Sequence, residues 1–450
     1  MSEAARQDAA VPLLIRRAVL GGSATDLLVE NRRFARIAPA ITPPPGAEVL
    51  DARGLAILPT FYNAHGHAAM TLFRGQADDI ELFPWLTQHI WPAEKQLTAD
   101  DVAAATRLAI IEMIRGGTVF FNDMYWEPAT VARVADEMGV RAAVGRLYVE
   151  ESPGHIRPYC IEKSAELEAC APQLSDRIQL THAPHAIYTV GEETLRMVAA
   201  HAQATGQMIH IHAAETESEC QQCQERHGMS PIAWLDACGI LGPRTVLAHA
   251  VHLSDADIGL IRDRGAVIAH MPVSNAKLNS GMFHFRDVAE QAGCRTTIGT
   301  DGCGSNNNLS MFDEVKCAAL SAKIQTRDPT AGKAATIWYC ATGGGAEAFG
   351  IDAGEIAEGR LADAMLVDLD HPALVPAHNL ISNLVYSADT SVVDSVLCDG
   401  RILMRHRVIP GEAEIIAAMR VIARKYAPRG STEGQGSSMT KKVNVKVSTG

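Results

Sequence analysis

The chain has 450 residues, 47% of them hydrophobic and 20% charged, with 40 basic against 52 acidic side chains. That length fits one large α/β barrel with an accessory domain, and the composition is that of a soluble globular enzyme. A formal charge of −12 with no basic stripe argues against a nucleic-acid or anionic-membrane partner.

The opening stretch MSEAARQDAAVPLLIRRAVL has only a short apolar run and no basic leader, so no signal peptide is expected. No uninterrupted apolar run reaches the length of a bilayer span. Ten scattered cysteines suit a reducing cytoplasm better than a disulfide framework. Residues 12–58 read as short β segments with turns, the Pro-rich ITPPPGAEVL separating VPLLIRRAVL from GLAILPTFYNAHGH. From about residue 57, eight apolar β-like runs follow: AILPTFYN, GTVFFNDMY, VRAAVGRLY, RIQLTHA, QMIHIHA, TVLAHAV, AVIAHMP and RTTIGTD.

Helical stretches lie between most of these runs. TADDVAAATRLAIIEMIR has Thr98 as its expected N-cap, Asp100 and Asp101 in its first turn and Arg115 in its last, as the helix dipole favours. Strands alternating with helices predict an α/β fold, a (β/α)8 TIM-like barrel over 58–360. Near residue 361 the pattern returns to β, so 1–57 and 361–412 are expected to pair into a small β-sandwich flanking the barrel. A terminal helix is expected over 413–428 and a disordered Ser/Gly/Lys-rich tail over 429–450.

The chemistry gathers where the barrel strands end. The first strand closes on Asn63-Ala64-His65-Gly66-His67, and residues two apart on a strand share a face, so His65 and His67 can aim two imidazoles at one point. His-X-His alone is weak, but other strands end in His210-Ile211-His212 with Glu215 close behind, in Ala248-His249, and in Gly299-Thr300-Asp301-Gly302. In a barrel these ends ring one mouth. Imidazoles with a carboxylate suit Zn²⁺ or Fe²⁺, and such a site keeps a position for water whose pKa the metal lowers.

The order N-A-H-x-H, H-x-x-E-T, A-H and G-T-D-G-x-x-S-N-N resembles the amidohydrolase superfamily. With HAAMTLFRGQADDIELFPWLTQHIWPAEKQL it is more narrowly similar to the 5′-methylthioadenosine/S-adenosylhomocysteine deaminases, over roughly residues 12–410. The resemblance implies one divalent metal per subunit, Zn²⁺ first with Fe²⁺ or Mn²⁺ accommodated, on His65, His67, His212 and Asp301. It implies that Glu215 and His249, with Asp301, move protons, and that Trp85, Glu94, Arg146, His185, Ser305 and Glu215 line the substrate pocket, Glu94 accepting the ribose hydroxyls. Arg157 corresponds, on a looser alignment, to an arginine reaching a neighbouring subunit's site, and the family forms homo-oligomers. RIQLTHA carries no lysine to bridge a second metal.

The implied activity is hydrolytic deamination of adenosine, 5′-deoxyadenosine, methylthioadenosine or S-adenosylhomocysteine. Deamination or dechlorination of guanine, cytosine, pterin or a triazine is the alternative, and a non-catalytic scaffold barrel a third reading. Pro59-Thr60 and Gly66 depart from the family pattern, and ESPGHIRPYCIE leaves the 5′-substituent open. Among the remaining histidines, His210 is read as a packed residue or one backing a ligand, facing away from His212, His182 as structural, His270 as either entering the site or an ordinary polar strand-end residue, and His252 as a helix cap or loop residue. Cys220, Cys223 and His227 form only a fragment of a zinc pattern on a helical stretch.

Overall fold

The computed structural model describes residues 11–426. The N-terminal segment forms β1 (Leu13–Leu20), β2 (Ser23–Glu30), β3 (Arg33–Ala38), β4 (Glu48–Asp51) and β5 (Leu55–Pro59). Then come β6 (Phe61–His67), β7 (Thr118–Asp123), β8 (Arg141–Tyr148) and a short hairpin, β9 (Glu150–Ser152) and β10 (His155–Ile156). They are followed by β11 (Ile178–Pro184), β12 (Ile209–Ala213), β13 (Thr245–His249), β14 (Val267–His270), β15 (Arg295–Ile298) and β16 (Asp301–Gly302). The chain closes with β17 (Ala364–Asp368), β18 (Val393–Cys398) and β19 (Arg401–Met404).

Nine of these strands make one parallel sheet in the order β15-β14-β13-β12-β11-β8-β7-β6-β16. Only Gly299 and Thr300 separate β15 from β16, yet β16 pairs with β6 at the far end of the path, Asp301 opposite Gly66. The sheet therefore curls round on itself as a TIM-like barrel does. Gly299 is where the curl is tightest: a Cβ there would lie 2.8 Å from the His65 amide nitrogen and 2.9 Å from its carbonyl oxygen. A side chain would push apart the strands that carry His65 and Asp301.

The floor of the curl is apolar. Tyr62, Phe120, Ala143, Met208, Val246 and Phe349 pack into one cluster, with the Phe120 and Phe349 rings 4.5 Å apart. Burying each such aromatic stabilises the fold by roughly 1.5–3 kcal/mol. Outside the sheet, the helix Ala99–Arg115 begins at Thr98 with a capping box to Asp101, as its sequence led us to expect. Asp101 also accepts from Lys425 and from the Tyr426 hydroxyl, which fastens the last described turn to this helix.

The run AILPTFYN divides differently from expectation. Leu55–Pro59 pairs with β17 and β1, and the barrel strand starts only at Phe61, so the expected boundary at 57 falls inside a strand of the other sheet. Both chain ends do pair, in one sheet of eight strands ordered β19-β18-β17-β5-β1-β2-β3 with β4 on β1. The hydrogen bonding links all eight, so the pairing does not establish the two facing sheets of a sandwich. The two sheets meet at buried charges: Arg141 of β8 donates to Asp363 at 2.8 Å and to Asp399 at 2.7 Å, and the Tyr62 hydroxyl donates to Asp363 at 2.8 Å. The terminal helix spans Glu412–Ala423, and the expected tail, with the end of the expected helix, lies outside the described residues. No helix among the described residues is long and apolar enough to cross a membrane.

Candidate active site

The C-terminal ends of β6, β12 and β13 and the start of β16 bring His65, His67, His212, His249 and Asp301 together. Ligand atoms of His65, His67 and His212 lie within 4.8 Å of one another, as do those of His65, His249 and Asp301. The histidine rings are held from behind through Nδ1. His65 Nδ1 lies 2.7 Å from His210 Nε2, His67 Nδ1 2.6 Å from the Met124 carbonyl, and His212 Nδ1 2.7 Å from the His185 carbonyl. A ring whose Nδ1–H is engaged outward presents the Nε2 lone pair inward, as a metal-ligating histidine does.

Asp301 faces these nitrogens. Its Oδ1 is 3.5 Å from His65 Nε2 and 3.2 Å from His67 Nε2, while its Oδ2 accepts from Ser274 Oγ at 2.6 Å and Ser305 Oγ at 2.9 Å. Burial pushes the Asp301 carboxyl up, but the His65 and His67 imidazoles that face it outweigh this and hold the group well below the usual carboxylate range. For His67 burial works downward and the Asp301 bond outweighs it, so the imidazole is pushed up to about 9. Burial pulls His65 down to about 4. The buried Nε2 of His65 has no hydrogen-bond partner. Three imidazoles, a carboxylate and an unpartnered buried nitrogen aimed at their centre are a donor set that fits a divalent cation such as zinc.

The backbone is strained here. Asp301 has φ 61° and His249 φ 71°, left-handed values that non-glycine residues rarely adopt and that cost on the order of 1 kcal/mol or more. That geometry turns His249 towards Glu215: His249 Nε2 is 3.7 Å from Glu215 Oε2, and its Nδ1 is 2.8 Å from Asn275 Oδ1. Glu215 Oε1 accepts from Ser280 Oγ at 3.3 Å, and burial raises its carboxyl above the ordinary value.

A cavity of about 820 Å³ opens over the cluster. Trp85, Glu94, Arg157, His185 and Ser305 line it together with His67, His212, Glu215, His249 and Asp301. Glu94 is partly buried, and burial raises its carboxyl against the opposing influence of Trp126 and Tyr125. Trp85 packs where Gly304 lacks a side chain; a Cβ at Gly304 would lie 2.8 Å from the indole.

Two expectations need correction, and the open reading of His270 is decided. Arg146 does not line the cavity: its guanidinium donates to Glu168 at 2.9 Å and to Gln207 at 2.7 Å. Strand alternation explains this, since its neighbour Gly145 takes the inner face and Arg146 points out to the helix Pro158–Cys170. His210 faces the same interior as His212, as residues two apart must, and backs His65. His270 is buried against Phe283, with ring centroids 4.5 Å apart, and does not line the cavity.

Of the rest, Arg157 lies on the wall of its own chain's cavity, His182 bonds the Tyr148 hydroxyl, and His252 bonds the Ser280 carbonyl. The Ser274, Asn275 and Ser280 contacts went unforeseen. The run MPVSN directly after a barrel strand was the signal for the first two, and it does not reach Ser280.

A curled parallel sheet with four imidazoles and two carboxylates gathered at its strand ends is the architecture of an amidohydrolase, and the chain belongs to the amidohydrolase family, whose model matches residues 56–403. It is 42% identical over 395 residues, 87% of this chain and 90% of the other, to a 5′-deoxyadenosine deaminase of Methanothermobacter thermautotrophicus. It is 41% identical over 369 residues, 81% of this chain and 84% of the other, to a 5-methylthioadenosine/S-adenosylhomocysteine deaminase of Haloarcula marismortui. A solved adenosine deaminase of Xanthomonas campestris with bound zinc superposes with a TM-score of 0.85 at 34% identity, over 92% of this chain and 98% of that one.

Proposed function

We propose that this chain is a hydrolytic deaminase of adenosine-type nucleosides, releasing ammonia and an inosine-type product. One observation carries the reading: Glu215 and His249, the cluster residues His67, His212 and Asp301, and the Trp85–Glu94 wall all line a single cavity. The names of the relatives support the substrate class. The 5′-substituents considered are hydrogen, hydroxyl, methylthio and homocysteinyl.

In this reading His65, His67, His212 and Asp301 hold one divalent metal, zinc first. When bound, such a cation supplies Lewis acidity that makes water an effective nucleophile at neutral pH. The protein's own groups do the rest. Trp85 covers the base and Glu94 accepts from the ribose hydroxyls. Glu215, whose buried carboxyl favours its protonated form, gives a proton to N1 of the ring as C6 is attacked. His249 Nε2 accepts a hydrogen bond from the attacking water and steers it. Asp301, held in place by Ser274 and Ser305, takes the water's proton and passes it to the leaving amine, and the remaining hydroxyl proton returns to Glu215 as the C6 carbonyl forms.

The wider reading comprises a closed (β/α)8 barrel, a terminal sheet folded as a sandwich, a homo-oligomer, and residence in the cytoplasm. The β6–β16 pairing supports the first. The test is ammonia release by zinc-loaded protein from adenosine, 5′-deoxyadenosine, methylthioadenosine, S-adenosylhomocysteine, adenine, guanine, cytosine and a chlorotriazine. Turnover of nucleosides alone is expected. Turnover of a free base or triazine alone overturns the roles of Glu94 and Trp85.

A further inference from the structure

The ligand cluster accounts for Nε2 of His65 but not for the buried groups behind that ring. His65 and His210 meet edge to face with centroids 4.8 Å apart, joined Nδ1 to Nε2. Beyond them, His210 Nδ1, Asn122 Oδ1 and Thr181 Oγ1 have no hydrogen-bond partner among the described residues, and each residue is at most 1% exposed.

The strand register places all three on the inner face. Asn122 stands opposite Ala143, and Thr181 opposite Gly145, two residues further along β8 on the same side. His182 stands opposite Ile209, so Ala183, on the same face as Thr181, falls beside His210. Asn122 Nδ2 donates to the Ala64 carbonyl at 3.0 Å, which ties its amide to the residue before His65. Between Asn122 and Thr181, β8 offers that face only Ala143 and Gly145, and Ala183 packs at Gly145, its Cβ against the point where a Gly145 side chain would begin, with Thr181 Oγ1 at 3.5 Å. Each buried unsatisfied group costs about 1–3 kcal/mol, and a buried water typically satisfies two to four such partners.

Proton placement then follows from valence. For Nε2 of His65 to offer a lone pair, the proton of that ring must sit on Nδ1 and be donated to His210 Nε2. His210 then carries its own proton on Nδ1, where it needs an acceptor. A single buried water within reach of all three atoms would accept from His210 Nδ1–H and donate to Asn122 Oδ1 and Thr181 Oγ1. In the opposite arrangement His210 donates to His65 Nδ1, and a proton on Nε2 blocks the cation.

We propose that His210 is a positioning residue that locks His65 in its metal-binding tautomer, and that a buried water on Asn122 and Thr181 locks His210 in turn. The inference rests on the metal reading above and not on the substrate.

The experiment is zinc affinity by chelator competition for wild type, His210→Leu, His210→Gln, Asn122→Leu and Thr181→Val, with the thermal midpoint of each metal-free protein. His210→Leu weakens zinc binding about 10–100-fold. His210→Gln recovers most of it, because the amide oxygen can accept from His65 Nδ1. Asn122→Leu and Thr181→Val weaken binding less than His210→Leu does. A crystal structure of the zinc-loaded wild type shows a water within hydrogen-bond distance of all three atoms. Wild-type affinity in His210→Leu, whatever its thermal midpoint, overturns the positioning role. If that variant does not fold, unchanged affinity in Thr181→Val overturns the relay, as does a water-free space in the crystal. A wild type that binds no zinc overturns this inference together with the metal reading. One that binds zinc but turns over no nucleoside removes the substrate reading alone.

Discussion

Glu215→Gln separates proton transfer from everything else Glu215 touches. The carboxylate is 5% exposed, accepts from Ser280 and lies beside His249. Glutamine has the same shape and can keep the Ser280 bond, but it has no proton to give to the ring. Glu215 is outside the groups whose ligand atoms cluster, so metal content should not change. A lost general acid costs about 10²–10⁴ in rate. At 1.36 kcal/mol per decade that is about 2.7–5.4 kcal/mol of barrier. Because burial already disfavours the charged form of Glu215, a neutral amide should leave the thermal midpoint unchanged or higher. The assay is kcat and KM for ammonia release, with zinc content and thermal midpoint on the same preparation. A variant with wild-type kcat refutes the role. A variant that loses zinc in parallel with rate refutes the separation between proton donor and ligand set.

Other outcomes are equally specific. In the metal-free protein His67 holds a proton up to about 9, so an incoming cation must displace it. Apparent zinc affinity should therefore rise with pH, by about tenfold per unit at most, and flatten above that value; chelator competition from pH 6 to 9.5 reads it, and a flat profile contradicts the His67–Asp301 pairing. The same group, raised from about 6.5, stabilises the metal-free fold in full below its unfolded value, and this contribution is lost as pH rises through about 9. Arg141→Met strands the buried carboxylates of Asp363 and Asp399 and should cost about 3–5 kcal/mol, seen as a lower thermal midpoint. An unchanged midpoint would show that Tyr62, Arg32 and Arg177 suffice for those charges. Glu94→Ala should raise KM for nucleosides far more than for free adenine, and an equal effect on both removes the ribose contact.

The strand ends carried most of what could be read in advance. His-X-His, Ala-His and Gly-Thr-Asp-Gly each close an apolar run, and period-two alternation together with barrel geometry is enough to point them at one mouth. The same alternation, applied to His210 and Arg146, would have sent the first inward beside His212 and the second outward to Glu168. Those two errors came from setting local periodicity aside, not from a lack of signal. Other partners could not be assigned from local pattern. The groups that grip Asp301 come from Ser274 in the short helix Pro272–Lys277 and from Ser305 on a loop, and the partner of His249 is Asn275, 26 positions along the chain. Leu55–Pro59 carries a pattern fit for either sheet, and only its pairing with β17, more than 300 residues away, assigns it to the terminal one. Residue type and spacing determined which chemistry this chain could perform, because ligand donors and strand periodicity are local properties. Tertiary structure decided which nitrogen faces the centre and which carboxylates are buried, because each of those is set by a partner distant in sequence.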